Sequence, residues 1–141
     1  DGLWLIERQP DLVRGYDRCV LTPNAAEFRR LSQAFLGNST ASVQELSEVL
    51  QGPVLVRKGP NDVICRAGAA ESLTCEEEGG PRRPGGLGDI LAGSSAVFVA
   101  WAVLRSHDTR WACLAACTLL RRACRAAFAK RKRSMVAPDV L

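Results

Sequence analysis

One stretch dense in glycine and proline restricts the fold of this chain more than any other feature. Residues 78–89 run Glu-Gly-Gly-Pro-Arg-Arg-Pro-Gly-Gly-Leu-Gly-Asp, and five glycines with two prolines suit neither a helix interior nor a central strand. After Asp89 no proline or charged residue occurs before Arg105, which predicts an apolar helix long enough to be buried. The glycines therefore predict a loop that leads into a helix N-terminus.

A glycine loop at a helix N-terminus is a place where an anion can bind. Backbone N–H groups there lack intrahelical partners, and the helix dipole favours negative charge. Arg82 and Arg83 add guanidinium groups that can fork onto phosphate. For Asp89 the spacing leaves two interpretations open, a helix cap or a catalytic base beside a phosphate.

The remaining pattern predicts an α/β fold. Apolar runs at residues 2–6, 20–22 and 54–56 are predicted to be strands, the first of them the end of a buried one. Asn24 with Glu27, and Ser42 with Glu45, match the capping-box pattern and predict two helices between the second and third runs. This strand–helix–helix–strand order is typical of a parallel sheet with covering helices.

Further elements are predicted on either side of the glycine loop. Residues 57–62 form a polar turn after a strand, which is where ligands bind in open α/β sheets. Residues 62–66 and 72–76 predict an antiparallel hairpin. Residues 111–129 predict an amphipathic helix, and 134–141 a short cap and helix with Pro138 in the first turn.

Composition narrows the classes of protein. A length of 141 residues predicts one domain. The six cysteines form no Cys-x-x-Cys pair and His107 is the single histidine, so a zinc site is not predicted and the cysteines are expected to be reduced. The net charge of +4 arises from residues 110–141, with 8 basic and 1 acidic group, and its basic run Lys130-Arg131-Lys132-Arg133 is interpreted as a solvated helix end.

Several functions are not predicted. No aromatic platform or nucleic-acid motif accompanies the basic residues, and the apolar run 90–104 is too short to span a membrane. The glycine loop matches neither the Walker pattern nor the dinucleotide fingerprint, and no hydrolase triad is evident. The remaining interpretation of the glycine loop is a nucleotide site of a family that uses neither the Walker motif nor the dinucleotide fingerprint.

Four blocks of the sequence resemble segments of one known protein family. The chain opens on Asp1-Gly2-Leu3-Trp4-Leu5, which is similar to the end of an Asp-x-Asp-Gly strand in that family. The other blocks are Val20-Leu21-Thr22-Pro23-Asn24-x-x-Glu27-Phe28, Lys58-Gly59-x-x-Asp62-x-Ile64, and Gly79-x-x-Arg82-Arg83-x-Gly85-Gly86-x-Gly88-Asp89-x-Leu91-x-Gly93-Ser94. In order and spacing, and over the whole chain, these blocks resemble the ATP-dependent NAD(P)H-hydrate dehydratases of the ribokinase-like superfamily.

The resemblance implies a three-layer α/β/α sandwich with a mostly parallel sheet. Residues 1–141 are expected to be a single domain fragment, the carboxyl-terminal half of that domain. The implied reaction uses ATP, with Mg²⁺, to dehydrate hydrated NADH or NADPH, abbreviated NADHX and NADPHX, and releases ADP and phosphate. The implied partners are these small molecules, with no nucleic acid, no membrane, and self-association left open; the implied location is cytoplasmic or mitochondrial.

The resemblance also implies roles for individual residues. Asp89 would be the catalytic base and would also contact the hydrate. The binding site for the hydrate would be lined by Asn24, Ala25, Ala26, Glu27, Phe28, Arg29 and Arg30. ATP would be bound by Lys58, Gly59, Pro60, Asn61 and Asp62, and by Gly79, Gly80, Pro81, Arg82, Arg83, Pro84, Gly85, Gly86, Leu87 and Gly88. No protein ligand to a metal is implied.

Three positions depart from the family, and two other functions stay open. Leu87 stands where the family has glutamine, Pro84 where a small residue or cysteine is frequent, and Ala25 where histidine is frequent. A ribokinase-like small-molecule kinase would share the glycine loop but stop at the phosphorylated product. An inactive, truncated remnant of the dehydratase is the second alternative. The expected half-domain is predicted to have no dehydratase activity on NADHX by itself.

Overall fold

A computed structural model of the chain describes residues 2–141. The chain separates into two compact units, the first ending at Thr74 and the second running Cys75–Leu141. The helices and strands are α1 (Gly2–Arg8), β1 (Val20–Leu21), α2 (Ala25–Leu36), α3 (Val43–Leu50), β2 (Val54–Arg57), β3 (Asp62–Cys65), β4 (Leu73–Cys75), α4 (Leu87–Leu104) and α5 (Thr109–Arg131). Short 3₁₀ turns lie at Pro10–Leu12, Lys132–Ser134 and Ala137–Val140.

The predicted α/β class is confirmed, with a four-stranded sheet in the order β1-β2-β3-β4. Strands β1 and β2 are parallel, as the helices between them predicted, and Val20 lies opposite Val54. Strand β3 runs antiparallel to β2, so the described sheet is mixed. Val54, Leu55 and Val56 are fully buried, as expected for a strand covered on both faces.

The first element is a helix, so the strand predicted at residues 2–6 is wrong. Leu3 and Ile6, three positions apart, lie on one side and pack with the hydrophobic core, whereas Trp4 and Leu5 are exposed. A strand would instead bury alternate residues. Arg8 lies over the Trp4 ring, 3.9 Å from its centroid, a cation–π contact between residues one helical turn apart. Asp1, where the family resemblance begins, lies outside the described residues.

Both predicted capping boxes are present. The Asn24 side chain accepts hydrogen bonds from Ala26 and Glu27, and the Ser42 side chain accepts one from Glu45. Gly37 ends α2 at φ 65°, a left-handed conformation that glycine adopts without steric cost. The buried faces of α2 and α3, which carry Phe28, Leu31, Leu46 and Leu50, contribute to one core with Leu21 and Leu55.

In the second unit α4 packs along α5. The buried residues of α4 are Leu91, Ser95, Val99 and Ala102, which follow one helical face. The expectation that this helix would be buried is therefore met on one face only, because Val97, Trp101, Val103 and Leu104 are exposed. The apolar run 90–104 was expected to be too short to span a membrane, and this is wrong by length, because α4 begins three residues earlier, at Leu87. Among the described helices α4 alone has the length and apolar composition of a membrane span, but the core helix of a soluble protein can meet the same two criteria.

The cysteines have the predicted role. All six are free thiols, and Cys113, Cys117 and Cys124 are buried on one face of α5. Burial, with a smaller contribution from Asp108, raises the pKa of the Cys113 thiol to about 12. The Cys113 thiol is therefore protonated at neutral pH, and the three buried cysteines of α5 pack as small hydrophobic groups.

Candidate functional site

The segment Asn24–Arg30 begins at the carboxyl end of β1 and forms the first turns of α2. The Asn24 Oδ1 atom accepts hydrogen bonds from the backbone N–H groups of Ala26 and Glu27 at 2.9 and 3.0 Å. The Glu27 carboxylate in return accepts one from the Asn24 N–H at 2.6 Å. Both side chains are thus held by the cap itself, and the exposed surface of this turn comes from Asn24, Ala25, Ala26, Arg29 and Arg30.

The second predicted binding segment in this unit lies beside the first. Lys58, at the end of β2, donates its backbone N–H to the Pro23 carbonyl at 2.8 Å. The Arg57 guanidinium lies 5.7 Å from the centroid of the Phe28 ring. The fold therefore brings 24–30 and 58–62 together, because the carboxyl ends of parallel strands β1 and β2 meet at one edge of the sheet. Arg57 belongs to the predicted polar turn 57–62, although the ATP-binding residues implied by the resemblance begin only at Lys58.

The turn at residues 58–62 is closed by a carboxylate. Asp62 is 6% exposed and its Oδ1 atom accepts a hydrogen bond from the Gly59 N–H at 3.1 Å. Pro60 and Asn61 are the exposed members of the turn, and Lys58 is half-buried. Asp62 consequently has a shaping role in this turn, whatever it binds.

The glycine loop of the second unit leads into a helix N-terminus, as predicted. Gly86 is the N-cap of α4 at φ 92°, where a residue with a Cβ would be strained. A Cβ built on Gly86 would lie 3.1 Å from Ala137, and one built on Gly80 would lie 2.8 Å from the carbonyl oxygen of Cys124. The loop therefore lies against α5 and the chain that follows it, at distances only glycine permits.

Asp89 lies in the first turn of α4 and is exposed. The N-cap of this helix is Gly86, with no side-chain capping bond, so the interpretation of Asp89 as an N-cap residue is wrong. The helix dipole favours a carboxylate in the first turn, and the exposed side chain can accept a proton from a molecule bound at the loop. The backbone N–H groups of Gly86, Leu87 and Gly88 belong to the first turn, where anions bind.

Arginine side chains hold the start and the middle of the loop. Arg82 donates from Nε to the carbonyl of Met135 at 2.9 Å. Arg121 and Arg125 donate to the carbonyls of Glu77 and Glu78, at 3.1 and 3.2 Å. No role was predicted for Arg121 and Arg125, although their spacing of four positions puts both on one face of the helix.

The Glu77 carboxylate takes part in the same contacts. Arg122 donates from Nε to Glu77 Oε2 at 2.8 Å, and Arg125 Nη1 lies 3.0 Å from Glu77 Oε1. The hydrogen bond from Arg122, together with the positive charges of Arg122 and Arg125, holds the pKa of the Glu77 carboxyl below its ordinary range. Glu77 is therefore an ionised member of the structure at neutral pH and not a proton donor.

Comparison with known proteins identifies the family. The family model of NAD(P)H-hydrate dehydratase matches residues 1–141. ATP-dependent (S)-NAD(P)H-hydrate dehydratases from Pongo abelii, Homo sapiens and Ixodes scapularis are each 40% identical to this chain over its whole length. The match covers 46%, 44% and 51% of those proteins respectively, so the chain spans about half the length of the curated relatives.

A solved structure supports the fold. The crystal structure of a hypothetical protein from Streptococcus mutans is similar with a TM-score of 0.63 and 24% identity, over 86% of this chain and 42% of that one. At this identity the likeness concerns the fold alone, whereas the family model extends over every residue of the sequence. The chain belongs to the NAD(P)H-hydrate dehydratase family.

Proposed function

We propose that this chain supplies the ATP-binding and catalytic part of an ATP-dependent dehydratase of hydrated NADH and NADPH. The observation that carries the proposal is the glycine loop, with Gly86 in the left-handed conformation at the N-cap of α4 and Asp89 in the first turn. A phosphate-binding N-terminus and an exposed carboxylate within one helical turn are the two groups that phosphoryl transfer to a hydroxyl requires. The names of the relatives specify the substrate class.

The proposed chemistry has two steps. In the first step Asp89 takes the proton of the hydrate hydroxyl. The hydroxyl oxygen bonds to the γ-phosphorus of ATP, and the bond from that phosphorus to ADP breaks. The backbone N–H groups of Gly86, Leu87 and Gly88 stabilise the charge on the transferring phosphoryl group. Phosphate then leaves with its bonding electron pair and the neighbouring carbon loses a proton, which restores the double bond of the reduced nicotinamide. ATP is consumed because phosphate is a much better leaving group than hydroxide.

The two segments of the first unit are assigned to recognition. We assign Asn24–Arg30 to the hydrate, with Arg29 and Arg30 supplying positive charge toward an anionic dinucleotide. Arg30 donates from Nε to Glu7 at 3.0 Å, which orients it. We assign Lys58–Asp62 to ATP, with Lys58 as a point charge for phosphate. Leu87, which replaces a polar family residue, contributes its backbone N–H and not its side chain.

Mg²⁺ is expected to accompany ATP, and it shields phosphate charge when it is bound. Mg²⁺ in nucleotide sites is commonly held by substrate phosphates with one or two carboxylates. Among residues 2–141 no group of three histidine, cysteine, aspartate or glutamate side chains is placed to hold a metal. We therefore assign no residue to Mg²⁺ and no step to it. A cytoplasmic or mitochondrial location and the absence of nucleic-acid and membrane partners are likewise proposals.

One assay separates this function from its alternatives. The full-length gene product is mixed with NADHX and ATP, and ADP release and the absorbance of reduced nicotinamide are followed together. The dehydratase produces both signals in equal amounts. ADP release without recovery of NADH would instead identify a kinase that stops at a phosphorylated product, and neither signal would identify an inactive remnant.

The Asn24→Ser variant tests whether this segment binds the hydrate or only caps α2. Serine and asparagine cap helices about equally, so stability is expected to change by less than about 0.5 kcal/mol. The amide is lost, so the KM for NADHX is expected to rise about tenfold, the size of one to two net hydrogen bonds. Thermal melting and steady-state kinetics of the full-length gene product provide the two measurements.

The matched control is the reverse exchange at the other capping box, Ser42→Asn on α3. Neither its melting temperature nor its KM is expected to change. An Asn24→Ser enzyme with an unchanged KM would leave residues 24–30 with a structural role alone.

A further inference from the structure

We infer that Arg121 and Arg125 of α5 are positioning residues that hold the glycine loop in the shape that binds phosphate. Neither residue is assigned to a substrate in the proposed function, on which this inference rests. Both donate to backbone carbonyls of the two residues directly before Gly79, Arg121 to Glu77 and Arg125 to Glu78. The inference concerns contacts within the second unit only.

Arg121 is buried, so its role is not that of a solvent-exposed surface charge. The residue is 8% exposed, and a buried guanidinium is costly unless its N–H groups are hydrogen-bonded. A carbonyl oxygen at 3.1 Å satisfies one of them. Leucine or methionine would fill the same space without any N–H group to satisfy. The charge at this position is therefore explained by the hydrogen bond to the Glu77 carbonyl.

The two arginines, four positions apart on α5, contact the carbonyls of two consecutive residues. Residues four apart on an α-helix are stacked about 6 Å apart on the same face, and here they engage consecutive peptide groups. The Glu77 carboxylate adds ion pairs to Arg122 and Arg125. Glu77 and Glu78 are thereby held by three arginines of α5, Arg121, Arg122 and Arg125.

Close packing extends this contact into the loop. A Cβ on Gly79 would be 3.7 Å from Arg121 Cγ, and a Cβ on Gly80 would be 2.8 Å from the carbonyl oxygen of Cys124. The loop itself belongs to no helix or strand over 76–86. Its start is therefore set by α5, while its end is set by the cap at Gly86 and by the bond from Arg82 to Met135.

Positioning of this kind matters to phosphate binding because backbone N–H groups act only when they are aimed at the anion beforehand. Side-chain loss at Arg121 or Arg125 would let the residues before Gly79 leave α5. The loop would then have to become ordered when ATP binds. The free energy spent on ordering it would lower the affinity for ATP.

The test uses Arg121→Met and Arg125→Met in the full-length gene product, with Arg110→Met as the matched control. Arg110 lies on the same helix and pairs with Asp108 at 2.7 Å, away from the loop. Amide hydrogen exchange over residues 79–88 is expected to be about tenfold faster in the first two variants, the effect of one charge-assisted hydrogen bond. The Arg110→Met protein is expected to exchange at the wild-type rate in that segment.

The Kd for ATP, measured by titration, provides the second readout. It is expected to be about tenfold higher in both variants, and Arg121→Lys, which keeps a donor, should recover part of the loss. Arg125 is half-exposed, so Arg125→Met keeps the test open if Arg121→Met fails to fold. A lower melting temperature with wild-type exchange and wild-type Kd would show a purely structural role and overturn the inference.

The outcomes separate this inference from the proposed function. ATP binding without recovery of NADH refutes the dehydratase while the Kd ratios still decide the positioning role. Recovery of NADH with unaffected variants refutes the positioning role alone. A wild-type protein that does not bind ATP refutes both.

Discussion

Replacement of Asp89 with asparagine is expected to lower turnover of NADHX by a factor of about 10²–10⁴, the usual contribution of a positioned general base. Asparagine keeps the size of the side chain and its exposed place in the first turn of α4, but it cannot take up the hydroxyl proton. The loss appears in the reacting complex, so the Kd for ATP is expected to change little. Single-turnover kinetics and ATP titration of the full-length gene product measure the two quantities.

Asp108→Asn is the matched control for this variant. Asp108 is the N-cap of α5 and accepts a hydrogen bond from the Arg110 N–H, and asparagine caps helices as well as aspartate does. Its turnover is expected to equal that of the wild type. Turnover within a few-fold of wild type in the Asp89→Asn enzyme would remove Asp89 from the mechanism.

The Gly80→Ala substitution is expected to have the second large effect, on both stability and ATP binding. The new methyl group would meet the Cys124 carbonyl oxygen at 2.8 Å and the Phe128 Cβ at 3.3 Å. The first of these is helix backbone, which cannot move aside cheaply, so a loss of about 1–3 kcal/mol in the free energy of unfolding is expected. The loop must withdraw from α5 to relieve the contact, and the Kd for ATP should rise with it.

Gly93→Ala is the control, made in the interior of α4. A Cβ there would meet nothing within 4 Å, and alanine in a helix interior is more favourable than glycine by about 0.5–1 kcal/mol. The Gly93→Ala protein should therefore be slightly more stable. Equal melting temperatures for the two variants, measured by circular dichroism, would contradict the close packing of Gly80 on α5.

Local signals explain which elements could be predicted. The capping boxes at Asn24 and Ser42, the stop at Gly37 and the glycine loop before α4 depend on residues within a few positions of one another. Each is satisfied or violated within one turn of backbone, so the sequence predicts it without knowledge of the rest. The same holds for the apolar run that became β2.

The errors have a different origin. Residues 2–6 are apolar enough for a strand, and only the packing of Leu3 and Ile6 into the core, with Trp4 and Leu5 left outside, makes them a helix. The apolar composition of α4 predicted a buried helix, whereas the helix buries one face only. A short apolar segment has no preference that tertiary contacts cannot override.

The candidate site divides in the same way. By itself the sequence determined the glycine loop before α4, the carboxylate at its end and the family, because each is written in contiguous residues with a fixed spacing. Only the tertiary structure decided that Lys58 lies beside Pro23, that Gly86 and not Asp89 caps α4, and that Arg121 and Arg125 hold the start of the loop. The contacts of Lys58, Arg121 and Arg125 join residues up to about 50 positions apart. No local propensity specifies such distant pairs, since they form only when the packed core brings them together.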